Sequence, residues 1–296
     1  MLRAFCQACL LCLFTLPVVA APALYLHNGP ESQLDKRYEF HWDILRTALE
    51  KTTAQYGPFE MRSAIYMTES RQTSELLRAT GKLTVMFRGT SEELESQLLP
   101  IRIPVDRDLS GYFVLLIRPE TRDVIAKAMT INDLRKLKIG LGADWLDNKI
   151  YRANEFQTAG GLDYNGLFAM LMQKRFDAFP RSVVELLDEY DQRKSLMPDL
   201  TIEETLLIHY YWPMYFWFSN NAEGKALAQR AEQGMRMMIK DGSYKALFMK
   251  YFHSNIERLG LKNRRLLELH NPLLPGETPI LDAELWFSPL TARTTP

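Results

Sequence analysis

Short apolar runs alternate with segments of helical period along most of this chain, and that alternation restricts it to an α/β fold with largely parallel sheets. Residues 24–27 read as a strand. Over 38–56, Phe40, Ile44, Leu45, Ala48, Leu49 and Thr52 recur at helical spacing, which predicts an amphipathic helix. Residues 59–65 form the next strand, 72–80 a helix closed by Gly81, and 83–87 a third strand. Thr90 followed by Glu93 has capping-box spacing, so a short helix is expected to start there. Two further apolar runs, 101–105 and 112–117, flank the polar turn Asp106-Arg107-Asp108 and suit segments that leave this first unit.

A second set follows. Helices are expected around 122–128 and over 131–137, with a strand over 138–141 running into Gly142. A helix over 164–173, a strand over 176–179 and a helix over 183–190 come next, and the apolar stretch 206–218 looks like the return path. Helix 223–240 carries Leu227, Ala231, Met235 and Met238 on one face, Asp241-Gly242 breaks it, and another helix starts at 244–252. The stretch 271–296 is proline-rich and irregular, and no internal repeat occurs.

The first residues, MLRAFCQACLLCLFTLPVVAAPA, have one early cation at Arg3, then an uncharged apolar run, then small residues. That is the layout of a secretory signal peptide over residues 1–20, with cleavage expected after Ala20 or Ala23. The run contains Pro17 and barely approaches the roughly 20 apolar residues of a spanning helix. Cys6, Cys9 and Cys12 all lie inside it, so the mature chain is expected to have no thiol, which excludes disulfides and thiolate metal sites. They also sit too early for lipid attachment. With 36 basic and 36 acidic side chains, the chain has no net charge to draw it toward nucleic acid or an anionic membrane.

Four segments in order carry a family resemblance. Asn132-Asp133-Leu134-Arg135-Lys136-Leu137-Lys138-Ile139-Gly140 looks like a helix-to-strand entry into a second lobe, and LMQKRFDAF over 171–179 like a helix followed by an Asp-Ala strand. KDGSYKALFMKYF over 240–252 resembles a pair of closing helices, and Gly81-Lys82-Leu83-Thr84 stands where a Gly-Lys-x-Asp strand is usual. Over most of 24–255 the chain resembles the type II periplasmic solute-binding proteins of the family that includes the polar amino-acid binders. The resemblance implies an α/β, two-lobed fold, the lobes joined by two hinge segments: 24–110 with 213–270 as a discontinuous first lobe, 111–212 as the second, and 271–296 as a tail. It further implies a monomeric periplasmic protein that closes on a small polar solute and hands it to an inner-membrane transporter or sensor, without a cofactor. The family's carboxylate-binding arginine is expected near Glu95, yet 90–97 holds no arginine; Phe179-Pro180-Arg181-Ser182 stands where an ammonium-binding aspartate is usual. A free α-amino acid is therefore not the expected solute.

In such folds strand ends and helix starts point into the cleft. Arg88 follows the strand 83–87 and precedes Gly89-Thr90, where backbone N–H groups and a guanidinium could receive an anion. Arg181 is placed similarly between Pro180 and Ser182. Two arginines facing each other would favour an acidic solute. Trp145, just beyond Gly140-Leu141-Gly142-Ala143-Asp144, could cover a bound molecule, and His27 and Asn28 end the first strand at the expected cleft edge. The aromatic run Tyr210, Tyr211, Trp212, Tyr215 and Trp217 reads as hinge and core packing. His27, His41, His209, His253 and His270 are too scattered for a metal site, and neither a G-x-S-x-G elbow nor a P-loop occurs. No catalytic residue is assigned; an enzyme reusing the cleft, dehydratase-like, or a ligand-free signalling partner are the competing readings.

Overall fold

The computed structural model describes residues 22–30 and 38–289. The expected signal segment 1–20 lies outside the described residues. Among them, no helix is long and apolar enough to cross a membrane.

The chain opens with β1 (Ala23–His27) and α1 (Glu39–Lys51), whose apolar stripe Phe40, Ile44, Leu45, Ala48 and Leu49 is buried. The expected single helix over 38–56 divides at Thr52. There the hydroxyl turns back to donate to the Leu49 carbonyl at 2.9 Å, and α2 (Thr53–Tyr56) is a separate turn ended by Gly57 at φ 77°. β2 (Phe59–Ser63), α3 (Glu69–Leu77), β3 (Met86–Gly89), α4 (Glu92–Gln97) and β4 (Leu98–Ile101) follow. β4 thus precedes the run 101–105 that the sequence suggested. The capping box expected at Thr90 does not form, because Ser91 caps α4 by accepting from Leu94 N–H, while Thr90 donates to Glu95 at 2.8 Å.

The second set comprises β5 (Tyr112–Ile117), α5 (Arg122–Ala126), α6 (Ile131–Leu134), β6 (Lys138–Gly142), α7 (Asp147–Ala153) and β7 (Gln157–Gly161). α8 (Tyr164–Met172), β8 (Ala178–Ser182), α9 (Leu186–Arg193), β9 (Thr201–Ile202) and β10 (Leu206–His209) complete it. The chain then returns through β11 (Met214–Ser219) to α10 (Ala222–Asp241) and α11 (Ser243–Arg258), broken apart at Gly242, φ 81°. It ends its regular structure with β12 (Arg265–Glu268).

Two sheets result. β3-β11-β4 form the small one, with the parallel pair β1-β2 attached where Leu26 exchanges bonds with Thr84. The large sheet runs β12-β10-β5-β8-β6-β7, with β9 on β5. β5 is buried along its whole length, and the two-residue period of a strand divides it: Val114 and Leu116 enter one core, Phe113, Leu115 and Ile117 the other. That is the pattern of a strand covered on both faces.

One boundary differs from expectation. Residues 265–268, assigned to the first lobe by the sequence, pair in parallel with β10 of the large sheet. Gly260 (φ 60°) turns the chain after α11, and the buried Arg264 guanidinium donates to the carbonyls of Leu259, Glu203 and Leu206, which carries the strand across. Beyond it, 271–289 lacks strands and helices, yet Leu285, Trp286 and Phe287 are buried in the main core.

Candidate functional site

Besides the α11–β12 link, two segments pass between the sheets: one from the end of β4 to the start of β5, the other from the end of β10 to the start of β11. Strand direction then decides which loops meet. β5 starts at the crossing and is antiparallel to β8, which is parallel to β6, itself parallel to β7, so Gly142, Gly161 and Ser182 end strands on the crossing side. β11 starts at the crossing and is antiparallel to β3 and β4, so Gly89 and Ile101 lie there too. Arg88 reaches Glu69 at the start of α3, and Asn28 bonds to Met67 just before it, which places the β1 and β2 ends on the same side. The six residues singled out from sequence therefore lie at or next to strand ends on the crossing side.

Their local partners are specific. His27 is buried, stacked on Trp42 at 4.3 Å and 24°, and its Nδ1 donates to the Asn28 carbonyl at 2.8 Å. Burial depresses its pKa, so the ring is neutral at neutral pH. Asn28 exchanges two bonds with the Met67 backbone, at 3.1 and 2.8 Å, and so fixes the loop after β2. Thr90 is buried, and Glu95, which accepts its hydrogen bond, is also held by Arg102 at 2.6 Å. Arg88 donates to Thr73 at 2.9 Å and pairs with Glu69 at 3.1 Å.

Arg181 is the most constrained of the six. It lies inside β8, not beyond it, because the strand begins two residues later than the sequence suggested: Phe176 instead fills the space a Cβ on Gly140 would take, 2.2 Å away. Its Nε and Nη2 donate to Glu189 at 2.6 and 2.5 Å, and Nη2 also meets Glu185 at 2.7 Å. The guanidinium lies over the rings of Trp145, Phe179 and Tyr164 at 5.0, 5.2 and 5.6 Å. Burial opposes its charge, and the two glutamates hold its pKa above the ordinary arginine value all the same. Each arginine thus closes an ion pair within its own half, and a preference for an acidic solute does not follow from them.

A buried polar cluster that the sequence did not reveal binds the two crossing segments together. His209, 4 % exposed, sits between Asp108 (Nε2–Oδ2, 3.1 Å) and Glu268 (Nδ1–Oε2, 2.7 Å). Asp108 also accepts from Trp212 N–H at 2.8 Å. Arg107 and Asp108 have left-handed backbones, φ 55° and 65°, and Asp106 steadies that turn by accepting from the N–H groups of Asp108 and Ser110. Burial works against charge on His209, but the bonds to the two carboxylates prevail and raise its pKa to about 9. Burial pushes Asp108 up to about 6 against the pull of His209. The i, i+4 and i+8 spacing of Arg181, Glu185 and Glu189 is a local signal that the reading of the sequence did not use, whereas Asp108, His209 and Glu268 are far apart in sequence and carry none.

Among the described residues no group of three or more His, Cys, Asp or Glu is arranged to hold a metal ion. Two surface hollows lie away from the strand ends, one beside Gly260 and one on α10 between Gln229 and Lys240.

No protein-family model and no curated protein matches the chain. Solved structures do. The chain is similar to a probable amino-acid ABC transporter extracellular-binding protein, ytmK from Bacillus subtilis, at 16% identity and a TM-score of 0.54, over 78% of this chain and 98% of that one. An ancestral arginine-binding protein bound to arginine matches at 16% and 0.51, over 78% and 98%. The GluR0 ligand-binding core in complex with L-glutamate matches at 13% and 0.50, over 78% and 99%. The chain has the two-lobed α/β fold of type II periplasmic binding proteins.

Proposed function

We propose that the protein binds a small solute between its two lobes, closes on it, and delivers it to a transporter or presents it to a sensor, without chemical change. One observation supports this reading: the loop-bearing ends of both sheets lie on one side, where, besides the α11–β12 link, two segments join β4 to β5 and β10 to β11. That layout allows one body to rotate against the other and lets a solute touch both only when they approach. The lobes we assign are 22–101 with 214–258, and 112–209 with 265–268. The signal-peptide-like layout of the sequence over 1–20 supports a periplasmic setting, and similarity in fold to a probable ABC transporter binding protein supports the role.

The test is a thermal-shift screen of the exported protein against amines, acids, sugars, amino acids and peptides, followed by small-angle scattering with and without each compound that raises Tm. A compound that raises Tm, contracts the particle and is recovered unchanged supports the reading. Recovery of a converted compound makes the protein an enzyme on this scaffold. Absence of any Tm shift across the classes sinks solute binding.

A further inference from the structure

The cleft's side chains narrow the class of solute, an inference that rests on the cleft being the binding site. We propose that it takes a planar, ring-bearing solute without net negative charge, stacked on Trp145.

The first ground is what the charged groups are already doing. An anion needs a cation with bonding capacity to spare, and the two arginines at the strand ends have little. Arg88 is engaged by Glu69 and Thr73, and Arg181, buried, by Glu189 and Glu185. In the stretches 142–147, 161–166 and 181–189, Arg181 is the one base, against Asp144, Asp147, Asp163, Glu185, Asp188 and Glu189. A carboxylate brought to this end of the large sheet would meet Glu185, half-exposed, before it met an uncommitted donor.

The second ground is the presentation of Trp145. Gly142 lacks the Cβ that would stand 2.4 Å from the indole, so the ring lies back against the strand end. Phe179 stacks on it at 6.1 Å and 21°, and Arg181 sits 5.0 Å over it, held there by Glu189. Three supports fix one orientation, yet the ring is only partly buried. A rigid aromatic surface left partly open at a strand end is suited to stacking a second planar ring. Trp212, in the crossing segment, is likewise partly buried and rests beside Gly89, where a Cβ would come 3.3 Å from its Nε1. Among the described residues neither indole N–H has a hydrogen-bond partner. Indole N–H groups only donate, and since that of Trp145 points along its ring edge rather than at a stacked solute, it is that of Trp212 that would match a carbonyl or other neutral acceptor on the ring.

Matched probes separate ring from charge: nicotinamide against nicotinate, benzamide against benzoate, and indole-3-acetamide against indole-3-acetate. Each is titrated into the exported protein by calorimetry and tryptophan fluorescence. The expected result is that an amide binds at least tenfold more tightly than its carboxylate twin, that Trp145→Ala abolishes the binding, and that Trp145→Phe retains part of it. Equal or tighter binding of the carboxylates overturns the inference, as does binding confined to ring-free solutes or binding indifferent to both Trp145 variants; solute binding in the cleft survives each of these. If no probe and no compound of the wider screen binds, the cleft reading falls and the inference with it.

Discussion

His209 and Asp108 meet at 3.1 Å although they stand 101 residues apart, each on a different one of the two segments that pass between the sheets. The contact is buried and charged, and Glu268 of β12 grips the other nitrogen of the same ring. A proton on His209 therefore adds to the backbone bonds that hold the two segments together.

That proton makes stability depend on pH. The folded-state pKa of His209, about 9, lies above the ordinary 6.5, so its stabilisation is fully present below about pH 6.5 and is lost as pH rises through 9. The difference corresponds to at most about 3 kcal/mol. Thermal melts between pH 6 and 10 should show Tm falling above pH 7, and His209→Gln, which cannot carry charge, should flatten that part of the profile. An unchanged slope in the variant would count against the assignment.

The two arginines should behave differently when removed. Arg181→Met leaves Glu189 buried without its partner and should cost about 3–5 kcal/mol in urea unfolding. Arg88→Ala breaks a pair whose acid is 71% exposed and should cost less than about 1 kcal/mol. Comparable losses from both would contradict the difference in burial.

Phe287 belongs to a stretch without regular structure, yet its ring meets Tyr112 at 5.7 Å and Phe248 at 5.5 Å, and its N–H donates to Arg107 at 2.7 Å. Phe287→Ala should destabilise the protein by about 3 kcal/mol, measured by denaturant midpoint. A midpoint within error of the parent would make this segment a passive surface.

Gly234 lets α10 approach α1 so closely that a Cβ there would stand 2.0 Å from the Ala48 carbonyl oxygen. Alanine normally gains about 1 kcal/mol over glycine in a helix. Here Gly234→Ala should destabilise on balance, by about 1–3 kcal/mol from overpacking. A rise in Tm would show that the helices can part without cost.

Much of the architecture was legible because helical periodicity and short apolar runs are local signals. α1 and α10 announced themselves through Phe40–Ile44–Ala48 and Leu227–Ala231–Met235–Met238, and the edge at which His27, Arg88 and Arg181 lie followed from strand order. What was not legible depends on partners distant in sequence. Nothing near Arg181 states that Glu189 will consume its charge rather than a ligand, since the same spacing suits a solvated helix face. Residues 265–268 look like any short apolar run, and their place in the large sheet is decided by Arg264 reaching carbonyls near residue 205. The capping position was misread because Thr90 and Ser91 are chemically equivalent there, and only the pull of Glu95 on Thr90 separates them.

If the two sheets move against each other as proposed, the return of β12 to the large sheet limits how far they can part. Two ribbons side by side leave a joint free to swing about one axis, whereas a third ribbon off that axis acts as a stay of finite length. The link from α11 to β12 spans residues 259–264, a reach of roughly 20 Å when fully drawn out. It is now coiled through Gly260 and the short turn Leu261–Asn263, and Arg264 anchors its end to three carbonyls. Small excursions would use the slack in that coil. A wide gape would have to unwind it and detach Arg264, so in the proposed motion this tether would set the travel of the mouth.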